Sequence, residues 1–200
     1  MNHERTNAVA AFVLVGGKST RMGRDKAFLR LDGETLLVRA LRLAGAVAGE
    51  VRIVGEAKKF GAYGRVVEDV YRDRGPLGGI HAALLSTTTE LNLMLGVDLP
   101  FVQPRFLQYL VRQAQESGAV VTVARAGGGW QPLCAVYRRE FADVAEQSLR
   151  QGRNKIDALF AQVKTRVIEE EELSREGFSA EMFRNLNTPE DWESAQRGST

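Results

Sequence analysis

One stretch constrains this chain more than any other. Val9 to Val15 is an apolar, β-branched run that empties directly into Gly16-Gly17-Lys18-Ser19-Thr20-Arg21-Met22-Gly23-Arg24-Asp25-Lys26. The run reads as a buried first strand. The loop behind it holds Gly16, Gly17 and Gly23 together with four cations, Lys18, Arg21, Arg24 and Lys26. Glycines remove side chains where backbone must approach a ligand and permit positive φ, so successive N–H groups can converge on phosphate oxygens. The combination outlines a polyanion site. Two common phosphate loops are excluded: a P-loop ending in Gly17-Lys18-Ser19 needs glycine where Phe12 stands, and a dinucleotide fingerprint needs glycine where Lys18 stands.

The rest of the chain alternates strands and helices. Phe28 to Leu31 reads as a short extended segment ending at Asp32-Gly33. Glu34 to Val47 carries Leu36, Leu37, Ala40, Leu41, Leu43 and Ala44 at helical spacing, with Arg39 and Arg42 expected on its wet side. Val51 to Val54 and Arg65 to Val67 read as strands, the latter ending on Glu68-Asp69, which puts carboxylates at the rim where α/β proteins bind ligands. Gly75-Pro76-Leu77-Gly78-Gly79 opens a helix, either as an anion-facing N-terminus or as a close-packed entry. Leu91 to Val97 is the clearest strand, and it runs into Asp98-Leu99-Pro100. Asp98 there is either a ligand for a hard divalent cation or a cap for the helix beginning at Pro104.

Further on, Pro104 to Ser117 is helical and Ala119 to Val123 a strand. Arg125 to Trp130 reads as a flexible glycine-rich loop, and Gln131 to Arg138 as a strand whose polar start faces a ligand. Glu140 to Gln151 forms a helix that ends at the basic turn Gly152-Arg153-Asn154-Lys155, which is suited to a second phosphate. A helix then begins over Ile156 to Phe160, and Gln162 to Glu169 forms a last strand. Glu169 to Glu172 reads as a solvated acidic face, and Thr188-Pro189 as a final helix start.

Composition narrows the class. With 200 residues, 44% hydrophobic and 26% charged, the chain suffices for one domain spanning residues 1–200, with Met1 to Asn7 as a polar tail. A net charge of +2 gives no general basic face, so nucleic acid is not expected as a partner. The lone Cys134 rules out an intrachain disulfide and reads as a small core residue; His81 reads as packing or surface. No run has the length of a membrane span and the N-terminus lacks a signal-peptide core, so a cytoplasmic location is expected.

The order of motifs resembles that of nucleotidyltransferases, and among them the molybdenum cofactor guanylyltransferases. The resemblance rests on Leu14-Val15-Gly16-Gly17 with Ser19, Arg21-Met22-Gly23 and Asp25-Lys26, then Glu68-Asp69 and Gly75-Pro76-Leu77-Gly78-Gly79. It continues through Asp98-Leu99-Pro100, Gln131-Pro132-Leu133-Cys134 and Asn185-Leu186-Asn187-Thr188-Pro189. It implies a three-layer α/β/α, Rossmann-like fold with a mainly parallel sheet, and transfer of GMP from GTP to the terminal phosphate of molybdopterin with release of pyrophosphate. By the same resemblance, Leu14, Val15 and Gly16 present backbone to guanine, and Gly17 and its neighbours hold phosphate. Lys26 and Arg21 neutralise the triphosphate, Asp69 contacts the nucleotide and Asp98 holds Mg²⁺. Arg153, Lys155, Asn185 and Asn187 are then candidates for the pterin side. Molybdenum-insertion proteins and apo-molybdoenzymes are the implied protein partners.

Two positions depart from the family pattern. Gly55 stands where the family often has an asparagine that reads guanine, and Arg153-Asn154-Lys155 stands where the family turn is often richer in arginine. Two other readings stay open. One is a sister enzyme of the same fold that uses CTP on molybdopterin or a nucleotide on a sugar phosphate. The other is a GTP-binding regulator without turnover, although such a protein has no need of Lys26 and Asp98 together.

Overall fold

The computed structural model describes residues 9–16, 25–71, 73–186 and Asp191. Its centre is a seven-stranded sheet ordered β5-β4-β1-β6-β8-β7-β9. The strands are β1 (Val9–Leu14), β4 (Glu50–Val54), β5 (Val66–Val67), β6 (Leu91–Gly96), β7 (Val121–Ala126), β8 (Gly129–Arg138) and β9 (Thr165–Glu169). Strands β2 (Arg30–Leu31) and β3 (Glu34–Thr35) pair as a small separate hairpin. Pairing is parallel across β5, β4, β1 and β6 and between β7 and β9; β8 alone runs antiparallel to both its neighbours. The expected α/β/α fold with a mainly parallel sheet is the observed one.

Side chains of β1 alternate between two cores. Ala11, Val13 and Val15 enter one with α1 (Leu36–Gly45), α4 (Pro104–Ser117) and α6 (Glu170–Arg175). Ala10, Phe12 and Leu14 enter the other with α3 (Pro76–Leu85) and α5 (Phe141–Arg150). This burial on both faces is why the first strand reads as a continuous apolar run. The short α2 (Ala57–Phe60), a segment without a clear sequence signature, follows β4. Thr35 caps α1 by accepting a hydrogen bond from the Val38 N–H at 3.3 Å. Because α1 and α3 lie on opposite faces and the chain leaves β1 toward β4 and later returns to β6, the strand order reverses between β1 and β6. That is the switch point where doubly wound sheets bind ligands.

Four local expectations are corrected. Arg125 to Trp130 is a tight hairpin rather than a flexible loop: Arg125 pairs with Trp130 and Ala126 with Gly129, while Gly127 and Gly128 turn the chain at φ +60° and +77°. Arg39 is half-buried rather than on the wet side. It ion-pairs with Asp32 at 2.9 Å and donates to the Leu31 and Pro100 carbonyls at 3.3 and 3.5 Å. Glu172, in the acidic run, is half-buried and accepts from Tyr109 and Arg166. Ile156 to Phe160 leads into a 3₁₀ turn over Asp157–Gln162. Cys134 is a buried free thiol, as expected.

Candidate active site

The parallel strands bring their C-terminal ends to one edge. Leu14 pairs with Val54 on one side and Gly96 on the other, and Val54 pairs with Val67, so the segments leaving these strands emerge in a row. Leu14, Val15 and Gly16, then Gly55, Glu68, Asp69 and Asp98 therefore share one rim. Two backbone groups here are already engaged: Val97 N–H donates to the Leu14 carbonyl and Val15 N–H to the Val54 carbonyl, both at 3.1 Å.

Asp98 is half-buried. Burial pushes its carboxyl above the usual carboxylate range, and a backbone hydrogen bond and the charge of Lys26 pull the other way. Lys26 thus acts electrostatically on Asp98 although 72 residues separate them in sequence. The aspartate caps no helix, because the N-cap of α4 is Gln103 and carries no side-chain cap. Its direction is set by Gly96: a Cβ there would lie 2.8 Å from Asp98 Oδ1 and 3.3 Å from Leu133 Cβ. Only a residue without a side chain lets the carboxylate fold back over the strand end.

Lys26 opens a 3₁₀ turn over Lys26–Phe28 that is fixed by Asp25. The Asp25 carboxylate accepts from the Ala27 N–H at 2.9 Å and pairs with Lys59 of α2. The end of the glycine-cation loop is thereby tied to the element following β4.

The two carboxylates after β5 divide their work. Glu68 accepts from the Ala57 N–H at 2.9 Å and serves as a cap for α2. Asp69 instead lies over the first turn of α3, its oxygens 3.7 and 3.5 Å from where Cβ atoms on Gly78 and Gly79 would be. Burial pushes the Asp69 carboxyl up as well. The two glycines thus make room for close packing, as one of the two sequence readings held.

Gln131 does not face outward from its strand: its amide donates to the Ala126 carbonyl at 3.2 Å and braces the hairpin. Arg153 and Lys155 are exposed on the turn after α5. That turn is closed by Ser148, which accepts the Arg153 N–H at its carbonyl at 3.0 Å and donates from its hydroxyl to the Arg153 carbonyl at 2.9 Å. Residues 153–155 line an open groove of about 520 Å³ with Gln147, Gln151 and Leu159. Asn185 is exposed beside Leu186, whose N–H donates to the Asp98 carbonyl at 3.3 Å, so the C-terminal segment returns to the rim. Gly17, Arg21 and Asn187 lie outside the described residues, as do the tail Met1 to Asn7 and the Thr188-Pro189 start.

Among the described residues no cluster of three or more acidic, histidine or cysteine side chains is arranged to hold a metal ion, and no helix is long and apolar enough to cross a membrane. A lone hard oxygen donor such as Asp98 fits Mg²⁺, which is commonly held by one or two carboxylates with substrate phosphates and water supplying the rest.

The model of the MobA-like NTP transferase domain matches residues 11–167, from β1 into β9. The chain belongs to this nucleotidyltransferase family. A probable molybdenum cofactor guanylyltransferase of Pelotomaculum thermopropionicum is 36% identical over 181 residues, covering 90% of this chain and 87% of the relative. The molybdenum cofactor guanylyltransferase of Desulfosudis oleivorans is 33% identical over 95% of both chains. The crystal structure of molybdopterin-guanine dinucleotide biosynthesis protein A from Archaeoglobus fulgidus superposes with a TM-score of 0.83 at 26% identity, covering 95% of this chain and 98% of the other. In this MobA-like chain the match takes in the whole rim from Leu14 to Asp98.

Proposed function

We propose that the protein transfers GMP from GTP to the terminal phosphate of molybdopterin, forming the guanine dinucleotide cofactor in the cytoplasm. The observation that carries this reading is the placement of Lys26 and Asp98 on either side of the β1/β6 switch point, in a chain whose relatives bear the guanylyltransferase name.

In this reading a terminal phosphate oxygen of the acceptor bonds to the α-phosphorus of GTP as the bond to the bridging oxygen of the β-phosphate breaks, and pyrophosphate leaves. No covalent enzyme intermediate forms. Lys26 and Arg21 neutralise charge on the phosphates, with the N–H groups around Gly17 as further donors. Asp98 would hold Mg²⁺, which when bound would supply charge neutralisation for the phosphates. Since Leu14 C=O and Val15 N–H are engaged in the sheet, backbone contact with guanine falls to Val15 C=O and Gly16, with Asp69 alongside. Gly55 contributes no side chain, and a Cβ there would lie 2.5 Å from Val15 Cγ2. Arg153, Lys155, Asn185 and Asn187 form the pterin side.

The test is pyrophosphate release with Mg²⁺ and each of GTP, CTP, ATP and UTP, with and without molybdopterin. Release that needs both GTP and the pterin is the expected result. CTP in place of GTP keeps the mechanism and overturns the base assignment. Tight GTP binding without release in the presence of the pterin overturns the enzymatic reading.

A further inference from the structure

The segment between β5 and α3 is held against α3 and α5 by three contacts that centre on Tyr71. Its ring meets the ring of His81 on α3 edge-on, with centroids 5.3 Å apart. Its hydroxyl donates to Glu146 Oε1 on α5 at 3.3 Å, and the same oxygen accepts from Arg150 at 2.8 Å. Its carbonyl oxygen lies against Gly78, where a Cβ would approach to 2.8 Å. Two residues earlier, Asp69 lies over Gly78 and Gly79 with a carboxylate to which no described side chain or backbone group is hydrogen-bonded. A carboxylate that receives no hydrogen bonds of its own takes its position from the backbone that carries it. Here that backbone is fixed through Tyr71.

We propose that Tyr71 is a positioning residue, anchored by Glu146, that holds Asp69 in place for the nucleotide. The inference rests on the reading of Asp69 as a nucleotide contact. Arg150 holds the Glu146 carboxyl below the usual carboxylate range, so the anchor is a charged acceptor at neutral pH. A rigid backbone here means that the loop is ordered before the nucleotide arrives, and the cost of ordering it is not taken from binding.

The experiment measures GTP affinity by calorimetry, without acceptor, for the wild type and for Tyr71→Phe, Glu146→Ala, Glu146→Gln, Asp69→Ala and Tyr71→Phe in the Asp69→Ala background. A protein that selects CTP is compared with CTP instead. Tyr71→Phe and Glu146→Ala are expected to raise Kd about three- to tenfold, the range for one lost hydrogen bond of ordinary strength, as suits a contact of 3.3 Å. Glu146→Gln, which keeps an acceptor oxygen, is expected to restore most of the affinity. In the Asp69→Ala background Tyr71→Phe is expected to add nothing, because there is no carboxylate left to position. An equal loss in both backgrounds, or a fall in melting temperature without a change in Kd, overturns the proposal and makes Tyr71 a packing residue. If Asp69→Ala weakens binding and Tyr71→Phe does not, only this inference fails. If Asp69→Ala leaves binding intact, the nucleotide reading of Asp69 fails and the positioning role with it.

Discussion

Gly96 and Asp98 stand two residues apart at the end of β6, and the carboxylate of one occupies the space that a side chain on the other would need. The distance from a Cβ at 96 to Asp98 Oδ1 would be 2.8 Å, far inside normal contact. Gly96→Ala is therefore expected to swing the carboxylate away from Lys26. The variant should fold, with a stability loss of about 1–3 kcal/mol from overpacking against Asp98 and Leu133, and lose at least about tenfold in kcat. Denaturant unfolding and pyrophosphate release check the two effects separately. Wild-type turnover in a folded variant would remove the link between carboxylate direction and catalysis.

Asp98 itself opposes the stability of the ligand-free fold. Burial raises its pKa, so the charged form is disfavoured in the folded state relative to the unfolded one. Asp98→Asn keeps the shape and removes the charge. We expect transfer to be abolished and the melting temperature of the nucleotide-free protein to rise by about 2 °C, the shift that roughly 0.5–1 kcal/mol produces in a domain of this size. With a folded-state pKa above the unfolded value, the contribution of Asp98 to stability grows as pH falls toward the carboxylate range. The advantage of the variant should accordingly be larger at pH 7 than at a pH within the carboxylate range, and shrink steadily between them. A variant less stable than wild type at pH 7 would show the charge to be compensated within the fold.

Much of this was legible in the sequence because its causes are local. The two-sided burial of β1 and β6 appears as unbroken apolar runs, and the turn residues after each strand mark where the rim must be. The placement of Asp98 at the rim follows from one strand end and one proline. What escaped depends on partners distant in the chain. Glu68 and Asp69 are adjacent and identical in charge, yet one caps α2 and the other lies on α3, where the missing side chains of Gly78 and Gly79 leave room for it. Arg39 looks like a surface cation by helical spacing; only the fold brings the Pro100 carbonyl within its reach. The glycines at 127 and 128 signal a turn, but whether they join paired strands or open a loop is decided by the register of β7 on β8.

Asp25 and Lys59 test how the loop's exit is held. Asp25 caps the turn that begins with Lys26 and also pairs with Lys59. An exposed ion pair contributes little, whereas a capping hydrogen bond contributes about 1 kcal/mol. Lys59→Ala should therefore change stability by less than about 0.5 kcal/mol and leave the KM for GTP nearly unchanged. Asp25→Ala should cost about 1 kcal/mol and raise that KM several-fold by freeing Lys26. Urea titration and steady-state kinetics on the two variants decide the matter. Equal effects from both would show that the ion pair, rather than the cap, fixes the turn.

His81 gives the fold a pH dependence opposite in sign to that of Asp98. Its ring is 0% exposed and neither nitrogen has a hydrogen-bond partner among the described residues; it packs on Tyr71, with Glu146 and Asp143 of α5 as the nearby acids. Burial lowers its pKa, and the two acids only partly offset that. The unfolded chain therefore binds a proton at a pH where the folded one does not, and stability rises with pH through this window. It is full above the ordinary histidine value of 6.5 and is lost as pH falls from there toward the lowered folded-state value. A single such group changes stability by at most about 1.4 kcal/mol per pH unit. His81→Phe keeps a ring against Tyr71 and cannot be protonated. Urea midpoints at pH 7.5 and 5.5 should differ more for wild type than for the variant, and the difference between the two proteins isolates His81 from the acids that titrate lower. Identical pH dependence in both would mean that the ring gains a proton partner on acidification, through a rearrangement of Tyr71 or Glu146.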